Sequence, residues 1–179
     1  MSESPDAMPN THTPPAPDPA RMRVVSWDDP EATATMAGER DGLEFIQALA
    51  AGDVPPPPIV QLIGARLESA VQGEVVFALE PAEFHYNPIG SVHGGIYATL
   101  LDSAAGCAVH TMLPAGTGYT SLDLSVRFLR PMRIATGTVT CTGTVTHLGR
   151  WIALAEARLE DGAGRLLATA TSNCLLIHA

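Results

Sequence analysis

The chain has 179 residues and a formal net charge of −9 at pH 7, and all ten of its basic residues are arginines. Hydrophobic residues make up 46% and charged residues 16%, a balance typical of a globular protein with a substantial core. Because nucleic-acid binding depends on a basic surface, this charge argues against a nucleic-acid partner, while a few clustered arginines still allow a small anionic ligand.

The cysteines and the apolar runs bear on the cellular compartment in which the protein is expected. The three cysteines are far apart and form no CxxC pair, which argues against a disulfide framework or a zinc site and favours a reducing environment. No basic-then-apolar signal opens the chain, and its longest apolar runs are too short or too interrupted to cross a bilayer. We therefore expect a cytoplasmic protein with no metal site and no membrane partner.

The first part of the chain divides into an arm and a domain. Residues 1–40 are predicted to form a Pro-rich flexible arm, and residues 41–179 a single domain. Helical spacing of apolar residues begins at Leu43 and stops before Gly52. Alternation then predicts a strand pair within residues 63–80, and the run 96–113, apolar on nearly every face, predicts a helix buried all round.

The second half reads as strands. Leu122, Leu124 and Val126 alternate with polar residues, so Ser121 is expected on the polar face of its strand, with Asp123 and Arg127. A threonine-rich strand within 138–146 follows, and two more strands are joined by a hairpin at 161–164. The sum predicts an α+β fold in which an antiparallel sheet of about six strands wraps around one long central helix.

The turn at residues 87–95 and the acid that follows it are the candidate site. Without a Cβ at Gly94, a carbonyl oxygen can approach the N–H groups that open the helix, although a glycine pair also suits a tight turn. Ser91 is a candidate cap for that helix. Asp102, in an apolar run, suits a general base or a nucleophile, or else a helix-face acid paired with an arginine. Asn87 is placed to orient water or a carbonyl, or simply to form the turn.

Spacing separates these two features. Asp102 lies eight residues beyond Gly94, which is about 12 Å along a helix. The two cannot act on one carbonyl within one helix. If both are catalytic, a second subunit supplies one of them, which predicts an obligate homodimer with sites at its interface.

The turn 87–95 with its HGG sequence, the segment 98–102 that ends in Asp102, and the later FLRP sequence resemble the hotdog-fold acyl-CoA thioesterases of the phenylacetate-degradation (PaaI-like) type. The resemblance covers roughly residues 43–177. It implies the hotdog fold and hydrolysis of an aryl- or medium- to long-chain acyl-CoA. No nucleotide-cofactor motif is present, so CoA is expected only as part of the substrate.

The resemblance also implies a role for each site residue. The Gly94 N–H would polarise the thioester carbonyl, Asn87 would position the carbonyl or the water, and Asp102 of the neighbouring subunit would act beside Ser121. Two loops, at about 128–133 and 146–150, would hold CoA through the following residues: Arg130, Arg133, His147, Gly149 and Arg150.

Rival functions remain open at this point. A non-catalytic acyl-CoA-binding module is the main alternative, and a hotdog dehydratase would need a His–Asp motif that the sequence lacks. The substrate acyl group and a pairing of dimers into tetramers, for which the threonine face is a candidate contact, are not specified by the sequence.

Overall fold

The structure, a computed structural model, describes residues 18–178. The helices and strands are α1 (Pro30–Glu39), α2 (Gly42–Ala51), α3 (Pro58–Ile63), α4 (Gly94–His110), β1 (Ala65–Val71), β2 (Glu74–Leu79), β3 (Thr117–Phe128), β4 (Val139–Leu148), β5 (Ile152–Asp161) and β6 (Leu166–His178). The strands form a single antiparallel sheet in the order β1-β2-β4-β5-β6-β3.

The central helix α4 packs against the concave face of this sheet. Its residues Leu100, Leu101, Ala104 and Ala105 are all buried. At Gly143 in β4 the sheet approaches the helix so closely that a Cβ would overlap the backbone of Ala104. A sheet wrapped around one long apolar helix is the architecture that the sequence predicts.

The strand β3 lies at one edge of the sheet and pairs only with β6 within the described chain. The strand is twelve residues long, and the side chain of Leu122 within it is more than half exposed. A long edge strand presents unpaired backbone N–H and C=O groups, so it is suited to pairing with another chain.

Two short helices were not predicted. The helix α1 lies within the segment 1–40 assigned to the arm, and it begins at Pro30 behind an Asp29 cap. The helix α3 begins at Pro58, between the predicted helix that stops before Gly52 and the predicted strand pair of residues 63–80. Residues 1–17 of the predicted arm lie outside the described residues, and the division of the chain into arm and domain stays a prediction.

The segment before α1 contacts the domain through two arginines. The Arg23 guanidinium donates to the carbonyls of Gln61 and Leu62 at the end of α3, at 2.8 and 2.6 Å. Arg21 forms an ion pair with Glu83. These contacts attach residues 21–23 of the predicted arm to the end of α3 and to Glu83.

Candidate active site

Asp102 lies at mid-length on the exposed side of α4. The Ser121 hydroxyl of β3 donates a hydrogen bond to its Oδ1 at 3.2 Å. No arginine or other cation within residues 18–178 forms a salt bridge with Asp102. The alternative role of a helix-face acid paired with an arginine therefore finds no support in this part of the chain.

A β-bulge turns Ser121 toward the helix. Ser121 pairs with the buried Cys174, while Asp123 pairs with its neighbour Asn173, so Leu122 is the extra residue. Bulges commonly redirect a side chain beside an active site. The prediction that Ser121 shares a face with Asp123 is therefore wrong, because strict alternation fails at Leu122.

The turn at residues 87–95 is held by the Asn87 side chain. Its Oδ1 accepts hydrogen bonds from the N–H groups of Ile89 and Ser91, at 3.1 and 3.2 Å. Its Nδ2 donates to the Ser91 hydroxyl at 3.2 Å. Asn87 therefore shapes the turn, and its amide has a second hydrogen for another acceptor.

His93 caps α4, in place of the predicted Ser91. The His93 Nδ1 accepts the Gly95 N–H at 2.8 Å. This bond uses the N–H of Gly95, the second glycine, and fixes the orientation of the His93 ring. The Ser91 hydroxyl bonds Asn87 instead.

The Gly94 N–H finds no acceptor within residues 18–178. The position is crowded, since a Cβ on Gly94 would lie 3.2 Å from the Phe128 ring. A cleft of about 330 Å³ opens beside it, bordered by Tyr97, Phe128 and Arg130. A free N–H at the positive end of a helix, with no side chain in front of it, is suited to stabilising an oxyanion.

Gly94 and Asp102 open on different cavities. Asp102 and Ser121 border both a shallow groove along β3 and an enclosed cavity of about 540 Å³. That cavity has mainly apolar walls, which include Leu49, Val60, Leu67 and Phe77. Within one described chain the two predicted catalytic features are therefore not brought together.

The residues expected to hold CoA fall into two groups. Arg130 and Arg133 follow the end of β3, while His147, Gly149 and Arg150 precede β5. In the sheet, Ile152 is in register with Thr120, at the opposite end of β3 from Phe128. Eight residues of strand correspond to about 26 Å, so the two groups are far apart within one chain.

Each of these two groups contains an exposed arginine that contacts a neighbouring residue. The Arg130 guanidinium donates to the Leu166 carbonyl at 2.5 Å. The Arg150 guanidinium lies 5.1 Å from the centre of the exposed Trp151 ring. Trp151 is not among the site residues predicted from the sequence. Neither is Tyr119 in the enclosed cavity, although it lies two residues before Ser121 and alternation places both on one face.

Residues 18–178 contain no group of three or more His, Cys, Asp or Glu side chains arranged to hold a metal ion. No helix among them is both long and apolar enough to cross a membrane.

A six-stranded antiparallel sheet packed around one long helix is the architecture of the hotdog fold. A family model described as the thioesterase superfamily matches residues 89–168. The chain is also 31% identical over 103 residues to acyl-coenzyme A thioesterase 13 of Homo sapiens, covering 57% of this chain and 72% of that protein. The chain belongs to the thioesterase superfamily, a family of thiolester hydrolases.

Solved structures agree on the fold. The chain is 25% identical in sequence to a phenylacetic acid degradation-related protein from Ralstonia eutropha, whose crystal structure matches with a TM-score of 0.66. The match covers 73% of this chain and 98% of that protein. AziG of S. sahachiroi gives a TM-score of 0.67 at 24% identity, with 69% and 98% covered. The chain spans 66 to 72% of the length of three of the curated relatives that it matches.

Proposed function

We propose that this protein hydrolyses an acyl-CoA thioester, with an aryl or a medium- to long-chain acyl group, to CoA and a carboxylate. The observation that carries the proposal is the Asp102–Ser121 pair at the edge of an enclosed, mainly apolar cavity. The carboxylate supplies a base or nucleophile, and the cavity supplies room for an acyl group.

Each residue has a stated task in the reaction. The Gly94 N–H donates to the thioester oxygen as negative charge develops on it. Asp102 takes a proton from water, which then attacks the carbonyl, or attacks the carbonyl itself and is released by water. In either case the C–S bond breaks and CoA leaves as the thiol after protonation. Ser121 holds the carboxylate, and the second Asn87 N–H positions the carbonyl or the water.

The proposal requires a homodimer. A two-fold axis at the edge strand β3 would run two copies of β3 antiparallel to each other, and so would set Asp102 of one subunit near Gly94 of the other. The same rotation makes the two sheets run in opposite directions. The end of one sheet that carries Arg130 would therefore lie beside the end of the partner's sheet that carries Arg150. The distance of about 26 Å within one chain supports this shared CoA site, and the threonine face of β4 is the proposed contact between dimers.

The arginines explain how an acidic chain holds a polyanion. With a net charge of −9, the surface as a whole repels CoA phosphates. Arg130 and Arg133 from one subunit, with His147, Gly149 and Arg150 from the partner, would form a local basic site. Cys107, Cys141 and Cys174 are free thiols, which suits the proposed cytoplasmic location.

The test is thiol release from a panel of aryl- and fatty-acyl-CoAs. We expect Asp102→Asn to lower kcat about 10²- to 10⁴-fold. The matched control is Glu44→Gln, an exposed carboxylate in the first turn of α2, which is expected to keep the wild-type rate. Equal rates for wild type and Asp102→Asn would defeat the mechanism, and tight CoA-ester binding without turnover would favour the acyl-CoA-binding module instead.

A further inference from the structure

The enclosed cavity beside Asp102 contains a hydroxyl that the proposed hydrolysis does not use. Tyr119 of β3 borders the cavity together with Asp102, Gly106 and Cys107. Its ring packs against His110, with ring centres 5.6 Å apart. The ring is therefore fixed from one side, and its hydroxyl reaches toward α4.

Gly106 makes room for the Tyr119 hydroxyl. A Cβ on Gly106 would come within 2.7 Å of the Tyr119 oxygen, so the hydroxyl lies directly over this position of the helix. Gly106 is four residues beyond Asp102, which is one helical turn or about 6 Å. The hydroxyl thus lies about one turn further along α4 than the carboxylate, in the same cavity.

This hydroxyl has no hydrogen-bond partner among the described residues, unlike those of the other two tyrosines. The Tyr97 hydroxyl donates to the Arg130 carbonyl, and the Tyr86 hydroxyl accepts the Ile134 N–H. No such bond involves Tyr119. A hydroxyl with no protein partner that borders a mainly apolar cavity is available to an acceptor atom of a ligand.

The Tyr119 hydroxyl faces the cavity as a donor. Burial raises its pKa well above the ordinary value of 10.0, and the nearby Cys107, Cys174 and Asp102 act in the same direction. It therefore keeps its proton at neutral pH. An acceptor oxygen of a ligand is its natural partner.

We propose that Tyr119 selects acyl groups carrying an acceptor oxygen about one helical turn beyond the thioester carbonyl, such as an oxoacyl chain. The inference rests on the proposed function, since it assumes that the acyl group enters this cavity from Asp102. Walls such as Val60, Leu67 and Phe77 suit the carbon chain, and Tyr119 distinguishes a ketone from a methylene. Tyr119 is a specificity-determining residue in this reading, with no part in the chemical step.

The experiment compares hexanoyl-CoA with 5-oxohexanoyl-CoA, which carry the same chain but differ by a ketone in place of a methylene. Four carbon–carbon bonds of about 1.5 Å in a zigzag place that oxygen-bearing carbon roughly 5 Å beyond the thioester carbon. We expect wild type to have the higher kcat/KM for the oxo ester. In Tyr119→Phe the ratio of the two kcat/KM values falls about threefold to tenfold.

Two further variants make the result interpretable. Tyr86→Phe also removes one hydroxyl, but outside the cavity, and it keeps the wild-type ratio. Gly106→Ala displaces the Tyr119 oxygen and lowers the ratio as Tyr119→Phe does.

The possible failures are distinguishable. If wild type hydrolyses hexanoyl-CoA and the ratio is the same in wild type, Tyr119→Phe and Gly106→Ala, the role of Tyr119 is overturned and the proposed function stands. If wild type hydrolyses neither these esters nor any member of the acyl-CoA panel, both proposals fall.

Discussion

The Ser121 hydroxyl donates to the Asp102 carboxylate across 3.2 Å, and this bond joins the edge strand β3 to the central helix. The bond exists because the bulge at Leu122 turns Ser121 inward. A hydroxyl that holds one carboxylate oxygen leaves the other oxygen for water or substrate. Ser121 is therefore proposed to orient Asp102 for the reaction.

Replacing Ser121 by Ala is expected to lower kcat about tenfold, because Asp102 loses a charge-assisted hydrogen bond. The matched control is Ser125→Ala, an exposed serine on the same strand that faces away from the helix. Steady-state thiol release measures both variants. An equal loss in the two would show that the strand as a whole, and not the bond to Asp102, sets the rate.

The Gly94 N–H can be removed with little change to the backbone. Gly94 is the first residue of α4, where proline is well tolerated, and His93 before it has φ −63° and ψ 139°, which suits a following proline. Gly94→Pro removes the donor, and Gly94→Ala adds a Cβ near Phe128 but keeps the donor. We expect kcat for Gly94→Pro to lie about 10²- to 10³-fold below that for Gly94→Ala.

The main elements of the fold follow from periodicity, and the departures have local causes. A long run that is apolar on nearly every face predicts helix α4, and alternation predicts most of the strands. The short helices α1 and α3 both start at a proline. Helix α1 has few large apolar residues and α3 has only six residues, so neither shows a helical period. The bulge at Leu122 leaves no signal in an alternating pattern, so the face of Ser121 was predicted wrongly.

The sequence predicts only part of the candidate site, and the reason is different. Asp102, Gly94 and Asn87 lie in one continuous stretch, where turn chemistry and a carboxylate within an apolar run point to them. The enclosed cavity instead combines α2, α3, β1, β2, β3 and α4, and no local pattern specifies how such distant segments pack. Tyr119 became a candidate only when its hydroxyl was found over Gly106.

The close approach of the sheet to α4 predicts a stability effect at Gly143. A Cβ there would overlap the backbone of Ala104, which cannot rotate away as a side chain does. Gly143→Ala is expected to lower the free energy of unfolding by about 1–3 kcal/mol or more. Gly118→Ala, at a strand position with open space around it, is expected to change it by about 0.5 kcal/mol or less. Urea denaturation followed by circular dichroism measures both.

The buried neutral ring of His85 is expected to make the protein less stable in acid. Its Nδ1 accepts the Ala82 N–H and its Nε2 donates to the Ile63 carbonyl, so the neutral ring satisfies both contacts. Burial lowers the pKa of His85 below its ordinary value of 6.5. Below pH 6.5 the unfolded chain therefore binds the proton more readily than the folded protein, and stability falls as the pH falls toward the lowered pKa.

The variant His85→Gln isolates this contribution. We expect it to be less stable than wild type at pH 7.5 and to lose less additional stability between pH 7.5 and 5.5. His147→Gln, whose ring is exposed, is expected to retain the wild-type difference between the two pH values. If the difference in His85→Gln is as large as in wild type, other groups cause the acid sensitivity. The first candidate is then His110, which is partly buried and whose pKa is lowered by burial.

Mixed dimers test whether each site is shared between subunits. If Gly94 of one chain works with Asp102 of the other, a dimer of Gly94→Pro with Asp102→Asn has one site with both defects and one intact site. Co-expression of the two inactive variants is then expected to restore about a quarter of the wild-type activity, since half of the dimers are mixed. Asp102→Asn co-expressed with the double variant Gly94→Pro/Asp102→Asn has no intact site and serves as the control. Activity no higher than this control would place both residues of each site in a single chain.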